Sequence, residues 1–148
     1  MLPKIRALIV HSELTIQRTD RLFSKKDQEH RNILSRLVSL GEETEAIIKL
    51  SRSLYPSGEI NKDKLFGIQR RQGALKRKLA DIKMQTSQII LERDNCENEK
   101  YDIAERRKKL NKKMNKYQYL QNAERKQKQR KDTRIEEYET EERLSWQR

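Results

Sequence analysis

Counting by sevens from Ile68 picks out Leu75, Ile82, Ile89, Cys96, Ile103, Leu110 and Tyr117, eight apolar positions in succession. An apolar residue at every seventh position stays on one face of an α-helix only if that helix coils left-handedly around a partner. The companion line, three residues earlier in each heptad, reads Leu65, Gln72, Leu79, Thr86, Arg93, Lys100, Arg107 and Met114. It is apolar toward both ends and polar in the middle, so the pattern predicts a narrow, half-filled seam. Continued past Tyr117, the first line meets Glu124 and Lys131, and the coiled coil is expected to end near Tyr117.

The first half carries a weaker form of the same period. One line runs Ile9, Ile16, Phe23, His30 and Leu37; the other runs Ile33, Leu40, Ile47 and Leu54, preceded by the polar Ser12, Thr19 and Lys26. Pro3 suits the first turn of a helix, where its missing N–H leaves no bond unmade. Gly41 falls inside this pattern and weakens a helix by about 1 kcal/mol relative to alanine. The reading carries one helix through it, with a kink there as the alternative.

Between the halves the chain reads Tyr55-Pro56-Ser57-Gly58-Glu59-Ile60-Asn61. Pro56 disfavours helix at Tyr55, and Ser57-Gly58 is turn chemistry. Asn61 can cap a second helix, with Asp63 in its first turn facing the positive end of the dipole. One short connection between two heptad-bearing helices predicts an all-α fold, an antiparallel two-helix coiled-coil hairpin. The expected boundaries are helix one over residues 4–54, the turn over 55–61 and helix two over 62–145, all in a single domain of residues 1–148. At 1.5 Å per residue, helix one would span about 75 Å and the longer helix two about 125 Å. Folded back, helix one runs out near residue 113 of helix two, leaving a single-helix overhang after about residue 117.

Composition supports this reading against a globular one. Only 33% of the residues are hydrophobic and 39% are charged, with four glycines and two prolines. Leu, Ala, Lys, Arg and Glu make up close to half the chain, the mark of a long helix or coiled coil. The regular period argues against disorder, which so polar a chain could otherwise adopt. The single cysteine, Cys96, excludes an internal disulfide and suits a reducing compartment. The opening run from Met1 to Val10 is too short and too charged for a signal peptide, and no stretch nears the ~20 apolar residues of a membrane span. A soluble, cytoplasmic protein is expected; if exported, it does not use a standard signal.

No catalytic chemistry is expected. The glycines at 41, 58, 67 and 73 form no phosphate-binding loop. His11 and His30 stand far apart with no Cys or carboxylate set arranged around a metal. His30 lies on a seam line and reads as a packed or register-setting residue. Cys96 reads as a small seam hydrophobe rather than a nucleophile. An enzyme needs a concave, water-excluding site, and two helices do not make one. Neither cofactor nor metal is expected.

Charge changes the picture most. The formal net charge is +12, and Ala104–Arg134 holds thirteen Lys/Arg against three acidic residues. Arg106, Arg107, Lys108, Lys109, Lys112, Lys113 and Lys116 form one cluster; Arg125, Lys126, Lys128, Arg130, Lys131 and Arg134 form a second. The sign then reverses through Glu136, Glu137, Glu139, Glu141 and Glu142. A solvated helix face is the plain reading of any one of these residues. The block as a whole reads as a binding surface for an acidic partner, because so many like charges repel one another when left alone. Specific nucleic-acid recognition is disfavoured. The charges go all round the helix, Tyr117 and Tyr119 are too few to stack bases, and no zipper follows the basic run.

With this layout in view, the chain resembles the central-stalk proteins of type III secretion ATPases, the FliJ/YscO family, and among them the injectisome members of the Spa/Inv type found in invasive enterobacteria. The resemblance rests on Gly58-Glu59-Ile60 and the run Leu65-Phe66-Gly67-Ile68-Gln69-Arg70-Arg71-Gln72-Gly73-Ala74-Leu75-Lys76-Arg77-Lys78. The Arg106-Arg107-Lys108-Lys109-Leu110 block and the Gln/Arg-rich run to Arg134 add to it. It implies a bacterial, virulence-associated protein at the cytoplasmic face of a secretion apparatus. Its paired termini would enter the pore of a hexameric ATPase and stimulate it, and its turn would face an export-gate protein. Some members of the family also handle chaperones. On this sequence the resemblance assigns Ile5, Leu8, Ile9, Arg106, Arg107, Lys113, Arg125, Lys126, Arg130 and Arg134 to the ATPase. It assigns Tyr55, Pro56, Leu65 and Phe66 to the gate end. Two alternatives stand beside it: a scaffold that homodimerises through the same seam, and a basic helix that binds nucleic acid or anionic surfaces without specificity.

Overall fold

The structure, a computed structural model, describes every residue except Met1, Ser57 and Arg148; Ser57 of the expected turn thus lies outside the described residues. Two helices are present among the described residues, α1 over Leu2–Ser53 and α2 over Lys62–Trp146. The fold is an all-α helical hairpin. Helix α1 continues through Gly41 without interruption, and Thr44 Oγ1 donates to the Leu40 carbonyl beside it.

The start of α2 follows from one residue. Asn61 Oδ1 accepts the Lys64 N–H at 2.9 Å, and the Asn61 carbonyl accepts the Leu65 N–H at 3.0 Å. The first satisfies an N–H that has no partner inside the helix, and the second begins the helical ladder. Asp63 lies in the first turn and Arg143 in the last, each facing the helix end that favours its charge. Gly58 adopts φ +141°, a conformation that side chains rarely tolerate, and so supplies the reversal that the connection needs.

The contacts divide the chain into two compact units, Phe23–Asp102 and the combination of Met1–Leu22 with Ile103–Arg148. In the first, Leu40 and Ile47 of α1 close on Ile82 and Ile89 of α2, with Ile33, Leu37, Leu75 and Leu79 packed around them. The helices there run antiparallel: Ser51 meets Gln72, Arg36 meets Glu92, and Asp27 meets Lys100. Each step back along α1 is a step forward along α2. In the second unit the buried positions are Ile5, Ser12 and Thr19 on α1 with Ile103 and Met114 on α2.

The line counted from Ile68 is buried or half-buried at all eight positions. On α1 the more buried line is the one with polar members. Ile5, Ser12, Thr19, Leu40 and Ile47 are buried, whereas Ile9, Ile16, Phe23 and Leu37 are only half-buried. Thr19 tolerates this because its Oγ1 donates to the Thr15 carbonyl at 2.8 Å, so no hydroxyl is left unbonded.

Pairing also extends further along α2 than the sequence suggests. Beyond Tyr117, the residues Gln121, Ala123 and Glu124 remain half-buried. Leu2 and Pro3 border one groove together with Glu124, Gln127, Lys128 and Lys131. At the connection, Leu54 and Pro56 border one open groove together with Gly67, Ile68 and Arg71. From Arg125 to Gln147 every residue is exposed.

Candidate partner-binding surface

Where the companion line turns polar, charge fills the seam of the Phe23–Asp102 unit. Lys26 Nζ pairs with Glu99 and, at 3.1 Å, with Glu29. Lys100 Nζ donates to Asp27 Oδ1 at 2.8 Å, and Arg31 pairs with the other oxygen of Asp27 at 3.0 Å. The hydrogen bonds that Lys26 donates to Glu99 and Glu29 raise its pKa above the ordinary lysine range. The bond from Lys100 holds the Asp27 carboxyl below its usual value. Lys100 also lies 5.6 Å from the centre of the Phe23 ring, within cation–π reach. These groups satisfy one another across the helices.

His30 and Cys96 belong to the same layer. His30 Nε2 lies 3.2 Å from Glu97 Oε1. The Cys96 thiol is buried, directs its weak donor at the Lys26 carbonyl over 3.5 Å, and has its pKa pushed up by burial. A thiol so placed is a poor nucleophile. Among the described residues no His, Cys, Asp and Glu group could hold a metal ion, and no helix is long and apolar enough to cross a membrane.

The turn end presents apolar side chains to solvent. Tyr55, Pro56, Leu65 and Phe66 are all exposed, and an open groove beside them runs between Leu54, Pro56, Gly67 and Ile68. The structure thus brings the four residues assigned to the gate end together at one end of the Phe23–Asp102 unit.

The residues assigned to the ATPase fare unequally. Ile5 is 7% exposed, spent on packing within its own unit, whereas Leu8 is 43% exposed and Ile9 is half-buried. Arg106 and Lys113 are exposed. Arg107 Nε sits 2.9 Å from the buried Asp20 Oδ1, close but without hydrogen-bond alignment. Arg125, Lys126, Arg130 and Arg134 are fully on the overhang and, among the described residues, none is in an ion pair. A single helix about 10–12 Å across carries them, and lysine and arginine reach outward in all directions from it.

The overhang also exposes Ile135, Tyr138, Leu144 and Trp146, none of which the charge pattern drew attention to. A signal for two of them existed. The line through Glu124 and Lys131 next reaches Tyr138, and the companion line through Met114 later reaches Ile135.

A family model described as Salmonella surface presentation of antigen gene type M protein matches residues 3–144. No curated protein and no solved structure matches the chain.

Proposed function

The chain belongs to the family of Salmonella surface presentation of antigen gene type M proteins, a type III secretion family, and on that premise we propose that it is the central stalk of a type III secretion ATPase. In this reading the overhang and the adjoining α1 N-terminus enter the pore of a hexameric ATPase and stimulate it. The turn end reaches toward an export-gate protein. The working location is the cytoplasmic face of a bacterial secretion apparatus, and the chain itself performs no catalysis.

The observation that carries the reading is the overhang: Arg125–Gln147 is exposed at every residue while holding the second basic cluster. Like charges spaced along one unpaired helix gain from an acidic surface around them. A pore lined by several copies of one subunit supplies such a surface from several sides at once. Long, flexible cationic side chains hold contact as successive subunits present unequal distances, which tightly packed apolar side chains do not. Arg125, Lys126, Arg130 and Arg134 are the foremost contacts, with Arg106, Lys113 and Leu8 as further contacts elsewhere in the same unit. Ile5 supports the pairing of α1 with α2 instead.

The seam is occupied by the chain's own second helix within the Phe23–Asp102 unit, which favours this reading over a scaffold that homodimerises through that seam. The test is direct. Adding the protein to its cognate secretion ATPase raises ATP turnover, and replacing Arg125, Lys126, Arg130 and Arg134 together by glutamine removes the increase. An unchanged rate on adding the wild-type chain would sink the proposal.

A further inference from the structure

The overhang is not uniformly basic; it is a dipole with an apolar centre. Arg125, Lys126, Lys128, Arg130, Lys131 and Arg134 make its first half, and Glu136, Glu137, Glu139, Glu141 and Glu142 its second. Between and among them the two heptad lines resume at Ile135 and Tyr138, which are 56% and 67% exposed. Within the helix this arrangement is mostly unfavourable. Lys126, Arg130 and Arg134 succeed one another at four-residue spacing, as do Glu137 and Glu141, so neighbours on one face are largely alike in charge.

A second copy laid antiparallel converts that repulsion into attraction. We infer that two copies of this chain pair antiparallel through their overhangs, with the basic half of each against the acidic half of the other. The heptad positions fix the register. Ile135 packs on Tyr138 of the other copy at the centre, and on either side Lys131 meets Glu142, with Arg134 beside Glu141. Seam positions of antiparallel coiled coils alternate in this way, and charges beside the seam set partner and orientation. Parallel pairing would put the basic halves together and is excluded by the same charges. Asp132 and Glu139 approach one another at one flanking position, the single like-charged approach in this register.

The pairing uses only the exposed part of α2, so it leaves both paired regions of the hairpin undisturbed, and it covers the residues proposed to contact an ATPase. It therefore describes the chain without that partner, and it stands whether or not the ATPase reading does.

The test is sedimentation equilibrium of the purified full-length chain at increasing salt. The expected mass approaches twice 17.8 kDa at low ionic strength. It should return to the single-chain value near 1 M salt, where the screening length is about 3 Å. Lys131→Glu with Arg134→Glu makes the overhang mostly acidic, and Glu141→Lys with Glu142→Lys makes it mostly basic. Each double variant alone is expected to be monomeric, while an equal mixture of the two restores a heterodimer. Asp132→Lys is expected to tighten the wild-type dimer. Helical circular dichroism should be unchanged in all three, since every substituted side chain is exposed. A chain that is monomeric at every salt concentration overturns the inference. So does a dimer that survives both charge reversals, because its interface then lies elsewhere.

Discussion

Lys100 Nζ donates a hydrogen bond to Asp27 Oδ1 at 2.8 Å across the two helices, at the level where the apolar seam gives way to charge. Both groups are partly exposed, so the pair contributes modestly to stability. Its clearer effect is on register, since a slip of either helix would part the charges and leave Lys26 and Glu99 mismatched as well.

That bond depresses the folded-state pKa of Asp27. A depressed carboxyl contributes stability that is complete above its unfolded value and is lost as pH falls through the folded one. Asp27→Asn is therefore expected to lower stability at pH 7 and to shrink the further loss on acidification. Urea unfolding of both proteins at neutral and strongly acidic pH checks this. Equal acid losses in the two would contradict it.

Gln72 sits on the companion line where an apolar residue would fit, yet it is held from both ends. Ser51 Oγ donates to Gln72 Oε1 at 2.9 Å, and Gln72 Nε2 donates to the Ser51 carbonyl at 2.8 Å. Gln72→Ala removes both bonds at a half-buried place and should cost about 1–2 kcal/mol in urea unfolding.

Gly41 is helical, and a Cβ built there meets nothing within 4 Å. Gly41→Ala should therefore raise stability by about 1 kcal/mol, through lower backbone freedom in the unfolded chain and better helix propensity. The opposite sign is expected at Gly58, whose φ of +141° strains any side chain. Thermal unfolding of the two variants separates these cases.

The sequence disclosed the hairpin because its signals agree. A line of eight apolar positions, one Pro-Gly connection and one Asn cap all point to two paired helices. Burial on α1 was less legible, because Ser12 and Thr19 look like surface residues. Thr19 shows why: a hydroxyl bonded to the preceding turn can be buried without penalty, so polarity there is no guide to exposure. The extent of pairing was less legible, because the two lines continue into the polar Gln121 and Glu124, which are half-buried nonetheless. As for the candidate surface, the basic block is plain in the sequence. Which residues remain open is not, since Ile5 is packed while Leu8, close by on the same helix, is exposed.

In the proposed role, the exposed basic overhang rather than the turn end would meet the secretion ATPase. A photoreactive side chain placed at Arg130 or at Phe66, irradiated with the hexameric ATPase and ATP, tests this most directly. Crosslinking to the ATPase from position 130 and none from position 66 is the predicted result. Crosslinking from position 66 with none from position 130 would contradict the account.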